Sequence, residues 1–255
     1  MITMPNNFRQ EIISDFTDPR SLSIVEIGAL DNPTFDPRHF NVKFIDYTTK
    51  DCLIAENLGN PRYTVDKLVD VHYAVPDGDY GIIPETFELI IANHVIEHIP
   101  DMLGWLKDLH RILRPGGFLF LSVPDRRFTF DHLRPETRIS EILAAHNEER
   151  KLPSWEQIFD HFYYYRKVDA KMAWGENIED ILSTPRSSIS EAKRNADRLA
   201  STGKFVSLHC NVFTYSSFLG IVNSLSELNV LPFSLRSSKD VHENSNEFHV
   251  MLAAK

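Results

Sequence analysis

The residues best suited to chemistry fall into three groups along the chain. His94-Val95-Ile96-Glu97-His98 sets two imidazoles around a carboxylate in an H-x-x-E-H pattern. On a helix, histidines at i and i+4 share a face and can bind zinc, with the glutamate as general base. That arrangement needs a long helix and a third ligand downstream. Here an apolar run, Phe87 to Asn93, leads straight into the pattern, and Pro100 follows His98 by two residues. The segment therefore reads as a strand-to-helix loop with one short turn. A zinc hydrolase built on His94 and His98 stays a remote alternative, and no metal is expected. Further along, His161 and His209 are candidates to take a proton near neutral pH, with Asp131 as a lesser base or as an orienting group. The third group is Glu26-Ile27-Gly28-Ala29-Leu30-Asp31-Asn32-Pro33, followed eighteen positions after Gly28 by Asp46.

These groups sit at the ends of regular elements. Ser23 to Gly28, Val42 to Asp46, Lys67 to Val71, Phe87 to Asn93 and Gly117 to Val123 read as five strands, and helical patterns fall between them. Near-continuous apolar strands separated by helices indicate an α/β architecture with a parallel sheet covered on both faces. The clearest helix repeats Met102, Trp105, Leu106, Leu109, Ile112 and Leu113 at three- and four-residue spacing. It starts at Pro100-Asp101 and stops at Arg114-Pro115-Gly116-Gly117. After Pro124 the pattern changes. Residues 125–205 are expected to form a helical insertion, rich in aromatic and basic side chains, with a capping box at Ser188-Ile189-Ser190-Glu191. A helix from Tyr215 to Leu228 and a strand pair, Leu231 to Arg236 and Glu247 to Leu252, close the chain. The whole is expected to be one domain, 1–255, with the insertion as a lid.

Composition narrows the partners. The 255 residues are 42% hydrophobic and 25% charged, which is ordinary globular usage. The net charge of −9 argues against nucleic acid or an anionic membrane as the main partner, because binding phosphates requires a surplus of Lys and Arg. Cys52 and Cys210 lie far apart and form no CxxC pair, so a disulfide framework is not expected. No stretch reads as a signal peptide or a membrane span, and the expected location is cytoplasmic.

In open parallel sheets, ligands sit beyond the carboxyl ends of the strands, where the strand order reverses. The first turn carries one glycine rather than G-x-G-x-x-G, and it lacks the GK[ST] ending of a phosphate loop. A single close approach suits a ligand without phosphate. Asp46, at the end of the second strand, can accept bonds from both hydroxyls of a ribose, although a solvated turn carboxylate is an equally good reading of that residue alone. Glu26 could orient the loop backbone or meet a positive charge. A cationic nucleoside fits these features.

Val25-Glu26-Ile27-Gly28, the acidic end of the second strand, the block Phe87 to Ile99 and Leu113-Arg114-Pro115-Gly116-Gly117 resemble the class I S-adenosylmethionine-dependent methyltransferases. The likeness covers roughly residues 20–124 and, more loosely, the closing hairpin. It implies a Rossmann-like, seven-stranded, mostly parallel sheet with helices on both faces and the helical insertion after the fifth strand. It also implies S-adenosylmethionine as cofactor and S-adenosylhomocysteine as product. Glu26 and Gly28 would meet the methionine end, Asp46 the ribose, Asp70 or His72 the adenine, and Asn93 and His94 the sulfonium side, with Ala29 and Tyr47 also in the cofactor site.

The acceptor side is expected to draw on Asp125, Arg126, Arg127 and Phe128, directly after the fifth strand, with Tyr164 in an aromatic lid. His98 either bonds neighbouring backbone or lines the acceptor pocket. Methyl transfer is an in-line displacement, so the protein chiefly aligns the reactants and excludes water. A hydroxyl acceptor would also use a base, for which His161, His209 and Asp131 are the candidates. The expected acceptor is a small molecule, a sugar or specialised metabolite methylated on oxygen. Methylation on nitrogen or carbon, or a cofactor-binding subunit without turnover, are the alternatives. A homodimer is left open.

Overall fold

The computed structural model describes residues 6–76, 78–175, 179, 183 and 187–255. Helix α1 (Asn6–Ser14) precedes β1 (Ile24–Ile27), β2 (Val42–Asp46), α2 (Lys50–Asn57), β3 (Tyr73–Ala74), β4 (Phe87–Asn93), α3 (Met102–Arg111) and β5 (Leu113–Pro124). Among the described residues the following segment is helical: α4 (Ile139–Asn147), α5 (Trp155–Tyr164), α6 (Ala170–Trp174) and α7 (Ile189–Ala200). The chain closes with α8 (Tyr215–Glu227), β6 (Phe233–Lys239) and β7 (Glu247–Ala254).

The strands form one seven-stranded sheet in the order β3-β2-β1-β4-β5-β7-β6. β1 to β5 are parallel, whereas β7 runs antiparallel to both β5 and β6. The order therefore reverses between β1 and β4, which places the expected crevice between their carboxyl ends. Because β7 is antiparallel, its first residue, Glu247, also lies at that edge, opposite Pro124.

Side chains alternate across the sheet, as strand geometry requires. Val25, Ile27, Ile90, Ala92, Leu121 and Val250 belong to one apolar layer, with α3 and α8. Ile24, Phe44, Leu89, Ile91, Phe120 and Met251 belong to the other, under α1. α3 presents Met102, Trp105, Leu106 and Leu109 to the first layer, and the Asp101 carboxylate caps it by accepting from Gly104 N at 2.8 Å. At the head of α7, the Ser188 hydroxyl accepts from Glu191 N. A small separate cluster, Ile158, Ala196, Leu208 and Cys210, joins α5 and α7 to the segment that leads out of the insertion.

The third strand departs from the sequence reading. Residues 65–67 form a 3-10 turn, and the strand is only Tyr73–Ala74, pairing with Ile45 and Asp46. The reason is composition. The segment around Asp66, Lys67 and Asp70 is mostly exposed, so it has no apolar face with which to enter a sheet.

Candidate functional site

β1 ends in a turn at Gly28, whose φ of +66° is a conformation an L side chain rarely adopts. A Cβ there would also stand 3.4 Å from Val95 Cγ2, so the turn and the exit of β4 approach closely. Glu26 is fully buried within β1. Its carboxylate accepts from Thr34 N and Thr34 Oγ1, both at 2.8 Å, and from Asn93 Nδ2 at 2.9 Å. Of the two roles the sequence left open for Glu26, this geometry is the loop-orienting one. Burial pushes its pKa up to about 7, against those hydrogen bonds and the charge of Arg9.

Asp46 ends β2 at the same edge. It is buried, and Oδ1 accepts from Tyr47 N at 2.8 Å, while Oδ2 has no partner among the described residues. Burial raises its pKa to about 6. An open left-handed turn beside a half-satisfied buried carboxylate fits an adenosyl group held by its ribose diol. Ala29 is buried directly after the turn. Tyr47 is 54% exposed, and its hydroxyl pairs with Glu56.

A row of polar side chains crosses four strands on the α1 side. Asn93 Oδ1 accepts from Ser122 Oγ at 2.6 Å, and that hydroxyl lies 3.1 Å from His249 Nδ1. Glu247, next on the same face of β7, accepts from Arg9 Nε at 2.9 Å and Nη2 at 2.6 Å, and it pairs with His94 Nε2. These partners hold the Glu247 carboxyl well below its ordinary range despite burial. Burial would lower the His94 pKa, but the Glu247 contact raises it overall. His94 has φ +55°, and Ile96–His98 is a 3-10 turn, so His94 and His98 share no helix face. The zinc-hydrolase arrangement is thereby corrected, because Pro100 and the strand exit leave no room for the helix it requires.

The second cluster is built by the segment that returns from the insertion, the region expected to form the acceptor side. Cys210 N and Asn211 N both donate to Glu97 O, at 2.7 and 3.0 Å, and Asn211 Nδ2 donates to Ile99 O. This pins His209 against the exit of β4. His209 Nδ1 donates to Asp131 Oδ2 at 2.5 Å. Arg134 Nη1 donates to the other Asp131 oxygen and to His209 O. Burial opposes ionisation of Asp131, yet His209 and Arg134 hold its pKa down to about 2. His98 Nδ1 donates to Leu208 O at 3.0 Å, and its ring meets His209 edge-on at 4.9 Å. Burial keeps the His98 pKa below its ordinary value. Phe130 packs on His209 at 4.6 Å and on Tyr165 at 5.2 Å, and His161 stands edge-on to it at 5.9 Å. Thus His98, His209, Asp131 and His161 are brought into one aromatic-walled cluster.

Other expected residues lie elsewhere. Asp70 and His72 precede β3; just before them Val69 N donates to Leu30 O at 2.9 Å in the loop after β1, and Asp70 helps line a cleft with Asp31, Asn32 and Pro33 of that loop. Asp70 pairs with Lys50 in solvent, and His72 Nδ1 accepts from Phe44 N. The strand begins later than the sequence suggested, so neither residue lies within it or at its carboxyl end. Asp125 is buried, and its carboxylate serves Arg127 and caps α8 at Tyr215 N. Arg126 turns to His132 O and towards Glu136. Phe128 stacks on Trp174 at 4.5 Å. In this geometry Asp125, Arg126, Arg127 and Phe128 brace the insertion rather than face an acceptor. Tyr164 packs edge-on against Tyr163, apart from the histidine cluster. Sequence reasoning missed Arg9, Thr34, Ser122, Glu247 and His249 as parts of the site. A usable signal was there, since Glu247 and His249 are ionisable residues on alternate positions of an otherwise apolar strand.

A family model described as a methyltransferase domain matches residues 8–176. The chain belongs to that family. A ubiquinone biosynthesis O-methyltransferase of Xanthomonas campestris pv. campestris is 28% identical over 129 residues, covering 51% of this chain and 50% of that protein. A protein of the same name from Parvibaculum lavamentivorans is 45% identical over 42 residues, 16% of this chain and 17% of that one. The chain thus spans about half the length, or less, of the curated relatives it matches. Among solved structures, an S-adenosylmethionine-dependent methyltransferase from Clostridium acetobutylicum is similar over 98% of this chain and 90% of its own, with a TM-score of 0.48 and 10% identity. Among the described residues, no helix is long and apolar enough to cross a membrane.

Proposed function

We propose that the protein methylates a hydroxyl oxygen of a small, ring-bearing molecule, a sugar or specialised metabolite, using S-adenosylmethionine. The cofactor supplies an electrophilic methyl group on a sulfonium whose thioether product leaves readily. Gly28 lets the β1 turn lie close to the ligand, Glu26 holds that turn through Thr34, and Asp46 accepts from the ribose hydroxyls. The observation that carries the choice of oxygen is the Asp131–His209 pair. With Nδ1 donating to Asp131, Nε2 is the ring atom left to take a proton, and it faces the β4 exit. The acceptor oxygen forms the new bond to the methyl carbon, the bond to sulfur breaks with its electron pair, and the hydroxyl proton passes to Nε2. A neutral amine acceptor would need no such oriented base. Phe130, Tyr165 and His161 supply aromatic faces for a ring, and the relatives named O-methyltransferases favour the same chemistry.

The test is to incubate the protein with S-adenosylmethionine and a panel of hydroxylated sugars and phenols, following S-adenosylhomocysteine and the methylated product by mass spectrometry. A methyl ether with at least one hydroxylated acceptor is expected. Transfer to amines alone would contradict the reading.

A further inference from the structure

Glu97 is fully buried between β4 and α3, and neither of its carboxylate oxygens has a hydrogen-bond donor. The groups around Oε1 are His98 Nε2 at 3.8 Å and His209 Nε2 at 4.0 Å, with His94 Nδ1 at 3.7 Å. The tautomers of two of these rings follow from their other nitrogens. His98 Nδ1 faces the carbonyl of Leu208 and His209 Nδ1 faces the Asp131 carboxylate, and both of those partners can only accept. Each Nδ1 therefore carries a proton, which leaves Nε2 as the ring atom able to offer a lone pair to an ion beside the carboxylate. The Glu97 carboxylate and two Nε2 atoms converge on one point with no hydrogen bond between them; His94 Nδ1, at 3.7 Å, lies beyond hydrogen-bond reach, so a cation held between the three would satisfy them.

We infer that Glu97, His98 and His209 form a binding site for one divalent first-row transition ion, such as zinc, manganese or iron(II). Their ligand atoms all lie within 4.8 Å of one another. Donors around a tetrahedral zinc stand about 3.3 Å apart, so closing the triad needs only side-chain adjustments of a few tenths of an ångström to about 1 Å. Two imidazoles and one carboxylate suit these metals and leave coordination positions open. Leu208 O and Asp131 supply the outer hydrogen bonds that commonly orient metal-bound histidines. The ligands come from distant parts of the chain, two from the β4 exit and one from the segment that leaves the insertion, so the ion would also clamp that segment to the sheet.

The purpose of the ion rests on the hydroxyl-methylation reading, whereas its binding does not. An open position can take the acceptor oxygen and lower its pKa. The acceptor then binds as its anion, its proton leaving to solvent before the carbon–oxygen bond forms. His209 is in that case a ligand, and the ion replaces it as the agent that removes the proton.

The experiment is metal analysis of the purified, chelator-stripped protein after dialysis against zinc, manganese or iron(II), with calorimetry of each ion and the visible spectrum of the cobalt(II) form. We expect about one equivalent of one of these ions bound, a cobalt spectrum typical of nitrogen and oxygen ligands, and affinity at least tenfold lower in the isosteric Glu97→Gln and in His98→Asn. His161→Ala should bind the ion as wild type. Thermal-shift midpoints of each variant without metal report whether it folds, and the wild-type titration stands whatever they show. Absence of stoichiometric binding of all three ions by the wild type, or binding unchanged in a folded Glu97→Gln, overturns the inference. Full turnover in the presence of chelator would overturn the ion's catalytic purpose while leaving the methyltransferase reading intact; loss of S-adenosylmethionine binding would remove that reading and leave metal binding to be judged on its own.

Discussion

Glu26 and Glu97 are both buried glutamates at the carboxyl edge, one in β1 and the other just past β4, yet their surroundings differ. Glu26 accepts three hydrogen bonds, two from Thr34 and one from Asn93, and a continuous row of partners runs on through Ser122 to His249. Glu97 accepts none and faces the Nε2 atoms of His98 and His209, whose Nδ1 protons point away. The cofactor half is therefore an internally satisfied scaffold whose shape is set before any ligand arrives. The cluster at the β4 exit holds unspent acceptor capacity, and under the proposed function that is where a proton or a cation would enter.

Removing His209 should have the largest effect. His209→Ala is expected to lower turnover by about 10²–10⁴-fold while cofactor affinity by calorimetry stays within about twofold; equal losses in both would merge the two halves. Next comes the scaffold's buried charge. Arg9→Met leaves Glu247 with His94 alone and should destabilise the fold by about 3–5 kcal/mol, read as a lowered urea midpoint, and an unchanged midpoint would mean that α1 is not docked through this pair.

Asp46→Ala should weaken S-adenosylhomocysteine binding about 10–100-fold, the value of one or two hydrogen bonds to a charged group, with little change in thermal midpoint. The same residue predicts a pH dependence. Its folded pKa, about 6, lies above the ordinary 3.8, so the folded state holds the proton more tightly. From this group alone, unliganded stability falls as pH rises from about 4 to 6. Cofactor affinity should move the other way, strengthening as pH rises through about 6 and Asp46 becomes a carboxylate. Calorimetry at pH 5 and 7.5 checks this, and in Asp46→Asn that rise should be lost. The smallest effect is expected at Asp70, whose only partner is Lys50 in solvent. Asp70→Ala should leave cofactor affinity unchanged, whereas a tenfold loss would support an adenine role for it.

Much of the scaffold was legible in the sequence because apolar patterning there is strong. Phe87 to Asn93 matches β4 residue for residue, and α3 carries its apolar stripe between a capping aspartate and a basic last turn. β3 was not legible, since a two-residue strand at the sheet's edge buries too little to leave a pattern. Gly28 and Asp46 were readable because a turn and a strand end advertise themselves locally. His209 was readable only as a lone histidine. Its meeting with Asp131 and Glu97 depends on how the insertion returns, which no local pattern encodes. Asp125 and Arg127 misled for a related reason. A basic and acidic run after a strand looks like a substrate patch, but the two side chains satisfy each other and cap α8.

The most direct test of the account is calorimetric titration of the purified chain with S-adenosylhomocysteine at pH 7.5, beside Asp46→Ala. The account predicts one saturable site in the wild type and a clearly weaker one in the variant. A wild-type titration without heat, together with an unmoved thermal midpoint, would contradict it.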